Sequence, residues 1–267
     1  MKLDVVLLTK NSLKPCLSEC VDSIYRNIPV NRLLIVDGGS TDGTLELLRR
    51  YPNVVVIEDL HGTRATARQK GINAVETNWH VHVDSDVILC DEWFEKAWGS
   101  VADDVGAIWG VAVPNEKHYY NAVYAMSKYY HTSVKNLMVR QMRSERYMTH
   151  DTLIRTSTVK DIKIPPNLHI YEDDYIGQHI IRKGYRFLKV PEPYCLHNVT
   201  PVERTSGYVT TGYLLKTYHY GRFSQVVRRV LTSIPKSAWI FIVTRDFQAS
   251  KTNLISNVLI FKGWLSA

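Results

Sequence analysis

Apolar and polar positions along the first hundred residues alternate between two rhythms. Val5–Thr9 is an apolar run of strand length, and Leu13, Cys16, Leu17, Cys20, Val21 and Ile24 then recur at helical spacing. Leu33–Val36 reads as a second strand, and Leu45, Leu47 and Leu48 open a helix that stops near Pro52. Val54–Ile57 is a third strand, Thr63–Val75 a third helix and His80–Val83 a fourth strand. Strands and helices alternating over short links predict an α/β fold, with a mostly parallel sheet covered by helices on both faces. Ligands of such sheets sit at the carboxyl ends of the strands. Asp37 and Asp84 both fall there.

Past residue 105 the pattern loosens. Val105–Val113, Asp151–Thr158 and Arg186–Val190 read as strands, and Asp173–Lys183 as a helix closed by Gly184. Tyr119–Arg140, rich in tyrosine, fits a long helix or a loop. Arg222–Leu231 and Lys251–Trp264 read as amphipathic helices mixing basic and aromatic residues. No apolar stretch reaches the ~18–20 residues that span a bilayer. The N-terminus reads as a strand rather than a secretory leader.

A chain of 267 residues, 45% hydrophobic, has room for one large α/β domain with an appendage. Charge divides it. The net charge is +7, and residues 201–267 hold nine basic and two acidic side chains, which accounts for the whole excess. The expected organisation is therefore a catalytic domain over 1–200 and a basic amphipathic extension over 201–267. A neutral first part without a nucleic-acid-binding motif argues against a nucleic-acid partner. Basic residues beside aromatics in 222–267 suit a peripheral contact with anionic lipid; packing on the domain or a dimer interface would use the same residues. Cys16, Cys20, Cys90 and Cys195 form no C-x-x-C pair, and a disulfide scaffold fits poorly with this length. The expected setting is reducing and cytoplasmic, with peripheral contact on the cytoplasmic face of the membrane.

Candidate chemistry gathers around Asp84-Ser85-Asp86, which follows the strand Trp79–Val83. Two carboxylates at a strand end need a positive partner: a divalent metal, a network of sugar hydroxyls or a basic side chain. The loop from Asp37 to Gly43 contains adjacent glycines that let a ligand approach the backbone. It lacks the spacing of a Walker A or dinucleotide motif. Arg68 stands on a helix of small residues and could reach a phosphate or a carboxylate. Tyr171-Glu172-Asp173-Asp174 puts acids at a helix start, where the macrodipole alone favours them by ~0.3–1 kcal/mol each; a general base is the functional alternative. His197 is a metal candidate if the fold brings it to Asp86.

Taken in order over residues 3–200, these segments resemble family 2 of the glycosyltransferases, with the Rossmann-like GT-A fold. The resemblance rests on Val6–Asn11, Ile35–Thr44, Ala67–Ile72, Val83–Asp86, Tyr171–Asp174 and His197. It implies a metal-dependent, inverting transfer of a sugar from a nucleotide diphosphate donor, a UDP- or GDP-sugar, to a glycan or lipid-linked acceptor. It implies that Thr9, Asn11 and Asp37 bind the nucleoside, that Arg68 lies near the donor and that Asp84 and Ser85 face the ribose side. It further implies that Asp86 ligates Mn²⁺ or Mg²⁺, with His197 completing the shell in some members, and that Asp173 is the catalytic base. Gly38 stands where many members carry a second Asp, and Gln69 where Asn is usual. A nucleotidyltransferase would want a Gly-rich phosphate loop where this chain has Thr9-Lys10-Asn11-Ser12. A non-catalytic sugar-binding module would not need the acids.

Overall fold

A computed structural model describes residues 1–144, 146–168, 170–198 and 205–267. Strands β1 (Leu3–Thr9), β2 (Val30–Asp37), β3 (Val54–Glu58) and β4 (Trp79–Asp84) lie in the spatial order β3-β2-β1-β4, all parallel. Alternation assigns their side chains to two faces. Val5, Leu7, Leu33, Ile35, Val81 and Val83 pack with Leu17, Cys20, Val21 and Ile24 of α1 (Leu17–Asn27). Leu13, which shares the helical spacing, precedes α1 and is exposed. On the other face Val6, Leu34 and Val36 meet Ala67 and Val75, at α3 (Arg64–Ala74). The short α2 (Thr44–Leu48) lies between β2 and β3. Gly71 lets α3 sit close, since a Cβ there would fall 2.5 Å from Val6 Cγ1. Lys160 ties the end of α3, its Nζ donating to the carbonyls of Ile72, Asn73 and Val75 at 3.0, 2.9 and 2.6 Å.

Beyond β4 the sheet continues through β7 (Asp151–Arg155), β6 (Val105–Pro114), β8 (Arg186–His197) and β5 (Val87–Leu89). The pairs β4–β7, β6–β7 and β5–β8 are antiparallel. The strand expected over Asp151–Thr158 stops at Arg155, and Thr156–Thr158 form a 3-10 turn. The strand read over Arg186–Val190 runs on through Pro191 and Pro193 to His197. Its neighbour β6 accommodates it at Gly110, where a Cβ would lie 2.7 Å from the Pro193 carbonyl oxygen. Ahead of residue 200, β5 and α4 (Trp93–Trp98) had no counterpart in the periodicity, the latter burying Trp93 and Ala97. Helix α7 (Glu172–Arg182) starts one residue before the expected helix. The result is a mixed α/β sheet with helices packed on both faces.

Contacts divide the chain into two compact units, one of 1–113 and 138–198, the other of 114–137 and 199–267. The second unit groups α5 (Lys117–Tyr129) with α8 (Thr205–Thr217), α9 (Phe223–Thr244) and α10 (Phe247–Leu265). The single segment Tyr119–Arg140 is thus two helices, α5 and α6 (Val134–Ser144), separated at His131, whose φ is 49°. The helix expected over Arg222–Leu231 continues through Pro235 to Thr244. Inside this unit Trp239 Nε1 donates to Ala125 O at 2.8 Å, and Asp246 caps α10 by accepting from Ala249 N at 2.9 Å. No helix among the described residues is long and apolar enough to cross a membrane.

Candidate active site

Parallel register brings the proposed nucleoside residues to one edge. Thr9 at the end of β1 lies opposite Asp37 at the end of β2, and Leu8 lies opposite Asp84. Asp37 is buried and enclosed by donors. Thr9 Oγ1 (2.8 Å) and Ser40 Oγ (2.5 Å) donate to Oδ1, and the amides of Gly39 (2.9 Å) and Ser40 (2.8 Å) donate to Oδ2. Gly39 reaches this turn at φ +88°, a conformation that suits glycine. Burial pushes the Asp37 carboxyl up, but these four bonds outweigh it and hold the group below the ordinary carboxylate range. Asn11 knits the same loop to β1: its Oδ1 accepts from Thr41 N and its own amide donates to Ser40 Oγ, both at 2.8 Å.

The alternation of β4 explains the next contact. His80, His82 and Asp84 share the face covered by α3, while Val81 and Val83 take the other. Arg68 descends from α3 and its Nη2 donates to Asp84 Oδ1. The Arg68 side chain is 3% exposed, and its Nε and Nη1 have no hydrogen-bond partner among the described residues. Ser85 Oγ donates to Ser12 Oγ at 3.1 Å, so this hydroxyl ties the motif to the β1–α1 loop. Asp86 stands beyond the strand end. Its Oδ2 is 3.4 Å from His197 Nε2. The pairing of β5 with β8 causes this proximity, for Val87 is opposite His197 and Asn198 N donates to Asp86 O at 2.8 Å. A carboxylate oxygen and an imidazole nitrogen converging from two elements suit a divalent ion such as Mn²⁺.

At the start of α7, Glu172, Asp173 and Asp174 are all buried. Asp174 accepts from Tyr147 N at 3.0 Å, which commits it to the neighbouring loop. Asp173 Oδ1 accepts from Asp174 N at 2.7 Å, and its Oδ2 faces Arg146 Nη2 at 3.7 Å. Arg146 is itself fixed, donating through Nη1 to Ile170 O at 2.5 Å and lying 4.2 Å over the Tyr171 ring. Burial raises Asp173 above the usual range, against the pull of Arg146 and Arg68. Burial and then the Asp173 charge push Glu172 up to about 7, against Arg68 and Arg64. Arg68 is therefore felt both by the acid at the end of β4 and by the acids of α7.

Sequence reasoning passed over Arg146 and a buried group behind His197. The His150 and His197 rings lie 5.5 Å apart, and Trp109 Nε1 donates to His150 Nε2 at 3.2 Å. Asp151 Oδ1 is 2.7 Å from His150 Nδ1, and its Oδ2 accepts from Trp93 Nε1 at 3.2 Å. With Cys195 these residues bring three donor atoms within 4.8 Å of one another. Both ring nitrogens of His150 are already engaged, Nε2 by the Trp109 indole and Nδ1 beside Asp151; burial pulls its pKa down, but Asp151 outweighs burial and raises it. The one signal for this group in the sequence was the strand of Asp151–Thr158 with a histidine just ahead of it.

Comparison with known proteins accounts for this layout. The family model described as glycosyl transferase family 2 matches residues 4–161. The chain belongs to this family. A relative of this family 2 glycosyltransferase, Glycosyltransferase AglE of Haloferax volcanii, is 24% identical over 268 residues, covering 87% of this chain and 86% of that protein. Glycosyltransferase GlyA of Streptococcus pneumoniae is 29% identical over 98 residues, 35% of this chain, and the match spans only 14% of that protein's length. Among solved structures, the mannosyltransferase PcManGT of Pyrobaculum calidifontis, in complex with GDP-Man and Mn²⁺, superposes with a TM-score of 0.64 at 15% identity, over 99% of this chain and 86% of that one. TarS of Staphylococcus aureus superposes with a TM-score of 0.57 at 18% identity, over 80% of this chain and 40% of that one. At these identities the structural matches establish the shared GT-A fold.

Proposed function

We propose that this family 2 glycosyltransferase transfers a sugar from a UDP- or GDP-sugar to a hydroxyl or phosphate of a glycan or lipid-linked acceptor, with inversion. The observation that carries the reading is Arg68, one buried guanidinium bonded to Asp84 at the end of β4 and felt by the acids of α7, with Nε and Nη1 lacking partners among the described residues. An unpaired buried donor costs about 1–3 kcal/mol, and an anionic donor phosphate would relieve that cost. Thr9, Asn11 and Asp37 hold the nucleoside end, with Asp84 and Ser85 on the ribose side. Asp86 and His197 would hold Mn²⁺ or Mg²⁺. That ion, when bound, stabilises charge on the departing diphosphate.

Asp173 supplies the proton chemistry. As the acceptor oxygen bonds to the anomeric carbon, the bond from that carbon to the diphosphate oxygen breaks and its electron pair leaves with the phosphate. The acceptor proton passes to Asp173. One displacement on the opposite face inverts the centre, so a single base suffices. The extension completes the reading: peripheral contact through 222–267, on the cytoplasmic face of a membrane, would keep the enzyme beside a lipid-linked acceptor. Asp173→Asn tests the mechanism. Donor affinity by calorimetry should stay near wild type while transfer falls ~10²–10⁴-fold, the usual weight of a general base. Unchanged transfer would remove Asp173 from the reaction.

A further inference from the structure

Helix α9 mixes polar and apolar groups on its packed side and leaves large apolar side chains outside. It buries Ser233 and Ser237 along with Val226 and Ile240, and Ile240 packs with Ala249 of α10 and Ala125 of α5. Asn253 Nδ2 donates to Ser237 Oγ at 2.9 Å and to Ser233 O at 3.3 Å, and Ser250 Oγ donates to Ser237 O at 2.8 Å. The opposite side exposes Leu231, Ile234, Phe241 and Ile242, at 63, 59, 41 and 57%. With exposed Ala238 these positions form one helical stripe, closed at its ends by exposed Arg228 and Arg245. A helix packed in water shows the reverse polarity. Helix α10 repeats the theme, with Phe247, Ile255 and Val258 exposed alongside Lys251 and Lys262. Its seam with α8 is a glycine contact: a Cβ on Gly212 or Gly263 would fall 1.9 Å from the carbonyl oxygen of Ile260 or Val209.

Small residues and polar bonds between helices, with apolar side chains outside, is the packing of helices whose surroundings are apolar. Since no described helix is long and apolar enough to cross a bilayer, those surroundings fit an interface along the helix. Charge decides between occupants. Residues 201–267 carry the whole +7, so two copies of this face would repel, whereas anionic headgroups complement the arginines at the ends of the stripe.

We propose that the outer face of α9, from Leu231 to Ile242, is the surface that enters an anionic lipid interface, lying parallel to it. The inference rests on the membrane reading of 222–267 and names the part that leaves water. The test is flotation of the full chain with phosphatidylcholine vesicles, with and without phosphatidylglycerol. Wild type should float with the anionic vesicles. Ile234→Glu combined with Ile242→Glu should lower partitioning at least about tenfold, with the melting temperature and donor hydrolysis unchanged. If wild type floats and the double variant floats equally, the α9 assignment falls and the membrane reading stands. Failure of wild type to float overturns both. Self-association without vesicles, abolished by the double variant, gives the face to a second copy and overturns the lipid assignment. A spin label at Leu231→Cys reads the same face without introducing a charge. On vesicles it should collide more with oxygen than with a water-soluble nickel chelate, and the reverse would overturn the proposal.

Discussion

Arg146→Gln is a perturbation whose effect follows from one distance. Arg146 Nη2 lies 3.7 Å from Asp173 Oδ2, and at an effective dielectric of about 20 unit charges at that separation attract by about 4 kcal/mol. Water entering the vacated space recovers part of this. The expected rise in the Asp173 pKa is the roughly 1–3 units by which a neighbouring guanidinium typically lowers a carboxyl. With Asp173 as the proposed base the sign follows, because a general base works only when ionised. Loss of Arg146 makes the proton harder to remove, so the acidic limb of the kcat profile should move to higher pH by about 1–3 units. Once the pKa exceeds the assay pH, each further unit costs about tenfold in rate. The plateau at high pH should survive. The assay is kcat against pH at saturating donor and acceptor, with donor affinity and melting temperature as controls. Arg146→Lys, which keeps the charge, should return the limb toward wild type. An unmoved limb, or a uniform drop at every pH, would mean that Arg146 only braces Ile170 and Tyr171 and would refute the electrostatic argument.

Three further outcomes are expected. Burial pushes the His80 imidazole down to about 3, against about 6.5 in the unfolded chain, so below pH 6.5 only the unfolded chain gains the proton and stability falls. About 2 kcal/mol should be lost by pH 5 through this residue; urea unfolding of wild type and His80→Asn should show that difference in slope, and parallel curves would refute it. His197→Ala should weaken Mn²⁺ binding measured by calorimetry by at least the roughly 10–100-fold that loss of an outer-shell partner costs, and an unaltered titration would take it out of the metal shell. Gly71→Val would force side-chain atoms into Val6 and should cost about 1–3 kcal/mol or more in chemical denaturation. A stability equal to wild type would show that α3 can lift from the sheet.

Much of the first half of the fold was legible because its signals are local. Strands β1 to β4 are short apolar runs between helices with regular spacing, and register then places Thr9, Asp37 and Asp84 together without further information. What escaped depends on distant partners. β5 is three residues long, too short to carry a period, yet its pairing with β8 is what delivers His197 to Asp86. Prolines are rare inside strands, and the continuity of β8 through Pro191 and Pro193 depends on a distant neighbour, the close approach at Gly110 of β6. Arg146 meets Asp173, 27 residues away in the chain, and His150 meets Trp109 and His197 besides its neighbour Asp151, so their surroundings come largely from other segments. The tail's amphipathic character was visible; which face is buried was not, because Ser233 and Ser237 face inward against the ordinary rule.

The enclosure of Asp37 has a consequence for how a nucleoside is recognised. An ionised carboxylate offers about four acceptor sites, and Thr9, Gly39 and the two groups of Ser40 already fill that number. The residue is saturated before any ligand arrives. A base or ribose that bonds to Asp37 must displace one of the protein's own donors, so its contribution to affinity is the small difference between two similar bonds. With the nucleoside at this edge, as proposed, discrimination among donors would be an exchange reaction whose outcome depends on how readily Thr9 and Ser40 give way.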